Sequence, residues 1–147
     1  MDVYIVDTNL IFSCFLNLDS SISQFVVSCD DLGIDLYAPT YLGVEIERHK
    51  NKIIEYTKYS EEEFTTVKAE IFQRIKFIDD DLIPFEEWIS ALRLVRDIDR
   101  DDVNFVALSN LLDKELWTGD AKLYAGLKAK GYKNIVNFAD LRVRYSL

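Results

Sequence analysis

Three observations predict an α/β protein built on parallel strands. Short β-branched and aromatic runs alternate with stretches of helical period along nearly the whole chain. The first run leads through two helical stretches to a second run, which makes a right-handed crossover unit and so a parallel pair. The runs also end at or near carboxylates, at the strand ends where open α/β sheets bind ligands. With 147 residues, 49% hydrophobic and 29% charged, the chain is expected to be one domain, residues 1–147, around a single core.

Val3-Tyr4-Ile5-Val6 reads as a strand covered on both faces, stopping abruptly on Asp7. Thr8-Asn9 are residues that end a strand or cap a helix. Leu10 to Leu18 is a short helix and Ser21 to Leu32 a second, with Ser20 or Ser21 as N-cap, Gln24 completing a capping box and Gly33 as the stop. Ile34 to Ala38 is the second strand, closed by Pro39. Thr40 then caps a long helix, Tyr41 to Tyr59, with Leu42, Ile46, Ile53 and Tyr56 on its stripe. Glu45 lies in its first turns, near the end of the second strand. Ser60 and the glutamates after it open a helix to about Ile75, forming an αα-hairpin with its predecessor.

Lys76 to Ile78 is a third strand. Asp79-Asp80-Asp81 is a solvated turn, lacking the glycine and closing glutamate of an EF-hand loop. Pro84 fits the first turn of a helix that buries Trp88, Leu92 and Val95. Val103 to Leu112 is apolar almost all round, a helix buried against the sheet. It is entered through the acidic run Asp97-Ile98-Asp99-Arg100-Asp101-Asp102, where Asp101 or Asp102 is placed to cap it. Glu115 to Thr118 is the fourth strand, and Gly119-Asp120 lead into a helix holding Leu123 and Leu127. Asn134 to Val136 is the fifth strand, and Phe138 to Arg144 a final short helix.

Seventeen basic residues against 26 acidic ones leave a net charge of −9, which argues against a grip on nucleic acid through bulk charge. Nucleic acid is not excluded where metal ions and a local basic patch offset the carboxylates. The concentrated basic run is Arg48-His49-Lys50 with Lys52; Arg93 and Arg96 precede the acidic run and Arg100 lies within it. No apolar run reaches membrane-span length and no basic signal-peptide start is present, so a cytoplasmic protein without a membrane partner is expected. Cys14 and Cys29 sit in apolar helical patterns without Cys-x-x-Cys spacing, as reduced core cysteines do.

Asp7 follows the first strand, Glu45 the second and Asp120 the fourth, while Asp102 opens the helix that feeds the fourth. Carboxylates converging on one sheet edge, with no Lys or Arg among them, repel one another. A hard cation holds such a cluster together, and all-oxygen ligation suits Mg²⁺ or Mn²⁺. Ions so held activate water and stabilise in-line displacement at phosphorus. No Ser–His–Asp set and no Gly-rich phosphate loop is available, which leaves metal-assisted hydrolysis.

Val6-Asp7-Thr8-Asn9, Glu45 after Pro39, Asp101-Asp102 before Phe105-Val106-Ala107-Leu108, and Trp117-Thr118-Gly119-Asp120 together resemble the PIN domain family, in order and over nearly the whole chain. The resemblance implies a three-layer α/β/α sandwich around a five-stranded parallel sheet. It further implies Mg²⁺- or Mn²⁺-dependent ribonuclease activity and pairing as a toxin with an antitoxin. It gives Asp7, Glu45, Asp102 and Asp120 as the catalytic, metal-ligating acids, with Asn9 and Thr118 orienting them. Asp99 and Asp101 rival Asp102. Placing Ala107 where the family's small helix residues fall selects Asp102 and leaves Asp99 as an outer ligand or RNA-facing group. Arg48, Lys52, Arg96 and Arg100 are the candidates for a phosphate track, and a homodimer is expected.

Two other readings share the acidic α/β pattern. A phosphoacceptor receiver domain needs an acceptor Asp after its third strand, which Asp79 imitates, and a late Lys, but Lys114 precedes its strand. An inactive PIN-like binding module is the other; the presence of all four acids weighs against it.

Overall fold

The computed structural model describes residues 1–147. In chain order the elements are β1 Asp2–Val6, α1 Thr8–Leu16, α2 Ser21–Ser28, β2 Ile34–Pro39, α3 Tyr41–Arg48, α4 Lys50–Thr57, α5 Glu61–Phe72, β3 Ile75–Ile78, α6 Phe85–Val95, α7 Val103–Leu112, β4 Glu115–Trp117, α8 Ala121–Ala129, β5 Ile135–Val136 and α9 Phe138–Arg144. Single 3₁₀ turns at Asp80–Leu82 and Arg100–Asp102 precede α6 and α7.

All strand pairs are parallel, in the order β3-β2-β1-β4-β5. Ile5 of β1 pairs with Tyr37 on one side and Leu116 on the other. Tyr4, Ile5 and Val6 are all buried, and successive strand side chains point to opposite faces, so helices cover β1 from both sides. One core results, with Trp117 of β4 fully buried between Phe25 of α2 and Phe138 of α9. The expected three-layer α/β/α architecture is therefore present. Connections leave β1 toward β2 and β3, then return to its other side at β4. The strand order thus reverses between β1 and β4, and the crevice above that point is where open α/β sheets bind ligands.

Several local expectations need correction. The long helix over Tyr41 to Tyr59 is two helices, broken at His49 (φ −98°, ψ 7°), where one N–H faces the carbonyls of Glu45, Ile46 and Glu47. Thr40 makes no capping bond to α3; its hydroxyl donates to Asp80 at 3.0 Å instead. Asp80 also accepts from Asn104 at 2.7 Å, so the acidic turn is half tied into the fold rather than wholly solvated. Ser20 caps α2 with Ser23 at the third position, while the Gln24 amide reaches back to the Asp19 carbonyl, so no capping box forms. On α6 the buried positions are Ala91 and Val95; Leu92 is 38% exposed. Ser60 and Glu63 do form a capping box on α5.

At the sheet's amino end, Tyr4, Tyr145, Arg144 and Glu115 form a clasp. The Tyr4 and Tyr145 hydroxyls lie 2.9 Å apart, Tyr145 donates to Asp2, and Arg144 donates to Tyr4 and to both oxygens of Glu115. This fastens α9 to β1 and β4 at the edge opposite the crevice. Cys14 and Cys29 are buried and unpaired with one another. No single helix is long and apolar enough to cross a membrane.

Candidate active site

The carboxyl end of β1 delivers Asp7 into the reversal point, where it is only 1% exposed. Both its oxygens are held. Oδ1 accepts from the Leu10 N–H at 2.9 Å and the Gly119 N–H at 3.3 Å, and Oδ2 accepts from the Thr118 hydroxyl. Asp7 therefore caps α1 and also ties it to the exit of β4. Burial outweighs these donors and, with Asp120 nearby, pushes the Asp7 carboxyl up to about 6. Gly119 permits the close approach, because a Cβ there would stand 3.1 Å from the Leu10 nitrogen. The Thr118 hydroxyl also accepts the Asp120 N–H at 2.9 Å, so one side chain orients both acids.

Glu45, one turn into α3, is half-buried and accepts from the Thr8 hydroxyl at 2.6 Å. Burial raises its carboxyl, the Thr8 bond opposes that, and Asp101 raises it further. Asp120 caps α8 through the N–H groups of Lys122 and Leu123 at 2.9 and 3.3 Å. Asp99 accepts from the Asp101 N–H at 3.0 Å, which closes the 3₁₀ turn before α7.

Asp102 differs from all of these. It stands at the N-cap position of α7 yet makes no side-chain capping bond, and its Oδ2 is buried without any partner. Burial pushes its carboxyl up to about 8, reinforced by the charges of Asp7, Asp99, Asp120 and Glu45. Asp102 thus takes the expected N-cap position of α7 without the capping bond, while Asp99 caps the 3₁₀ turn before it. The tightest grouping is Asp99, Asp102 and Asp120, with one carboxylate oxygen from each within 4.8 Å of the others. Asp7 and Glu45 bring their charges to bear on Asp102 from around this trio.

Asp99, Asp101 and Asp102 also wall a cleft of about 310 Å³ together with Glu45. Its remaining lining comes from Thr8 and Asn9 at the start of α1, and from Phe12, His49 and Lys52. Of the four expected phosphate contacts, only Lys52 lines this cleft. Arg48 is exposed and lies over the Tyr41 ring, 5.9 Å from its centroid, and Arg96 and Arg100 are exposed outside the lining. Sequence reasoning missed Thr8 as the residue that holds Glu45. Its partner comes from 37 positions away, and only the pairing of β1 with β2 brings them together.

These donors fit a hard divalent cation. They are all oxygens, they carry several negative charges against one lysine, and one buried oxygen lacks the partner that buried polar groups otherwise have.

The sequence matches the family described as PIN domain over residues 5–138. No curated protein matches it. Among solved structures, the fold is similar to a chain in the crystal structure of VapBC2 from Rickettsia felis bound to a DNA fragment from their promoter. The TM-score is 0.68 at 13% identity, covering 92% of this chain and 98% of that one.

Proposed function

This chain belongs to the PIN domain family, and from that premise we propose that it is a divalent-metal-dependent endoribonuclease and the toxin of a toxin–antitoxin pair. The observation that carries the reading is Asp102, whose buried Oδ2 has no partner although its carboxylate is grouped with those of Asp99 and Asp120, with Lys52 the one lysine on the adjoining cleft. Asp99, Asp102 and Asp120 would hold Mg²⁺ or Mn²⁺. Asp7 is locked in place by Thr118, Leu10 and Gly119, and Glu45 by Thr8, so both keep their charge aimed at the site without reorganising. When bound, the ion would supply a nucleophilic water near neutral pH and neutralise charge on the phosphate during in-line displacement. Asn9, exposed at the cleft edge, orients the acids or the substrate, and Lys52 meets an RNA phosphate. The protein acts in the cytoplasm as a homodimer, with an antitoxin protein as its partner; the resemblance to a VapBC2 chain supports that pairing.

The test is incubation with a labelled single-stranded RNA in Mg²⁺, Mn²⁺ or excess chelator. Cleavage is expected only with metal and is abolished in Asp102→Asn. Robust cleavage in chelator would overturn the metal mechanism. Metal binding without cleavage of any RNA would favour the inactive binding module. For the toxin assignment, expression alone should slow host growth and Glu45→Gln should relieve it; harmless expression of an active nuclease would point to housekeeping work.

A further inference from the structure

The acidic cleft has one wall unlike the rest. Phe12 of α1 is its one hydrophobic lining residue, and the His49 ring packs edge-to-face on it, with centroids 5.8 Å apart at 70°. Lys52 stands one helical turn beyond His49 on the same cleft. None of the three contributes to the carboxylate trio. Phe12 has no donor atom with which to coordinate a divalent cation. The helix break at His49 separates α3, which carries Glu45, from α4, which carries Lys52, so imidazole and ammonium share a wall with the acids.

We propose that Phe12, His49 and Lys52 form a nucleotide subsite flanking the reacting phosphate. One unpaired base stacks on the His49–Phe12 pair and Lys52 takes the adjoining phosphate. The proposal rests on the nuclease reading above and names its substrate class as single-stranded RNA. Aromatic rings recognise bases only when those bases are free of a helical stack, and stacking tolerates any base because each has a π-face. The cleft lies at the lower end of the volume range of ligand pockets, room for one nucleotide rather than a duplex.

The experiment is an abasic scan. Single-stranded RNA oligonucleotides with one cleavage site, each lacking the base at one successive position, are cleaved in Mn²⁺ by wild type, His49→Ala, Phe12→Leu and Lys52→Ala. Wild type should show a KM penalty of about 10-fold at one position beside the cleaved bond, the size expected of a base–aromatic stack. His49→Ala and Phe12→Leu should raise KM about as much on the intact oligonucleotide, with kcat nearly kept, and add nothing on the oligonucleotide lacking that base. Lys52→Ala should weaken binding on both substrates alike and flatten the salt dependence. Melting midpoints near wild type certify each variant as folded. Penalties that multiply rather than overlap, or a flat wild-type scan with efficient cleavage, would overturn the subsite while leaving the nuclease reading intact. If wild type cleaves no RNA at all, the nuclease reading falls and takes the subsite with it.

Discussion

Asp7 keeps its proton in the folded chain up to about pH 6, whereas an unfolded chain releases it near its ordinary value of 3.8. Across that window the native state binds more protons than the unfolded state, so stability falls as pH rises through it. For Asp7 the fall amounts to about 3 kcal/mol. Asp102 continues the decline toward pH 8. The metal-free protein should therefore melt lower at pH 8 than at pH 5, and Asp102→Asn should flatten the upper part of the profile. Thermal melts in chelator across that range decide it, and a flat or rising wild-type profile contradicts the burial described above. Thr118→Val tests the same carboxylate from its partner's side. It strips Asp7 of a donor in a buried setting, with an expected loss of about 1–3 kcal/mol, read by denaturant titration. Asp7 was legible in the sequence because a strand stopping on an acid is a local signal. Its binding partners were only half legible, since Thr118 and Gly119 lie more than a hundred positions away.

Between β3 and β4, the acidic run shows where element-level reading stops. The sequence located the run and the buried helix after it, but one 3₁₀ turn decides what each acid does. It is capped by Asp99, leaves α7 without a side-chain cap and Asp102 Oδ2 unpaired, and puts Asp101 on the cleft wall. Helical periodicity carries no information about a single tight turn. The break at His49 escaped for a similar reason: no glycine or proline marks it, and both halves keep the helical pattern. Two glycines probe how rigidly these elements are set. A Cβ on Gly126 of α8 would lie 2.5 Å from the tip of Ile98, which sits inside the acidic run. Gly126→Ala should therefore push the Ile98 side chain aside, offsetting the gain of about 0.5–1 kcal/mol that alanine otherwise brings to a helix, and weaken the Mn²⁺-induced rise in melting midpoint by displacing the loop that carries Asp99 and Asp102. Gly43→Ala in α3 would meet only Phe72, at 3.8 Å, and should stabilise by about 0.5–1 kcal/mol. Equal effects from the two substitutions would show that the acidic loop is not packed against α8.

Over the whole molecule, the fold was the most legible level. Five strand patterns, the crossover and the acids at strand ends all agree on one topology, and consistency across levels is what specifies a fold. The net charge of −9 then shapes how the protein meets its ligands. A metal that binds only the folded chain at ten times its dissociation constant should add about 1.4 kcal/mol, or roughly 3–5 °C in midpoint. Asp120→Asn should lose most of that shift while still capping α8, because Asn accepts the same N–H groups. An undiminished shift in this variant would remove Asp120 from the metal site. With Lys52 alone lining the cleft and Arg48 nearby, RNA affinity should fall only gently with salt, at a log–log slope of about −1 to −2. A much steeper slope, measured by fluorescence anisotropy, would mean that a basic track elsewhere carries the RNA.

The strand order also has a consequence in time. Because β1 lies between β2 and β4, the first acid of the site waits for the fourth strand, and Thr118 reaches Asp7 across 111 positions of sequence. During synthesis, a chain that has emerged only as far as Leu112 carries Asp7, Glu45, Asp99 and Asp102 but has neither Thr118 nor Asp120. Its central strand has an open edge, and Asp7 lacks the Thr118 and Gly119 donors that hold it in the complete fold. On the nuclease reading, such an unfinished chain should be inactive while it is still attached to the ribosome. A nascent chain arrested with Leu112 just outside the exit tunnel should cleave no RNA, with activity appearing only after β4 and Asp120 have also emerged; cleavage by the arrested chain would mean that the site forms without its fourth strand.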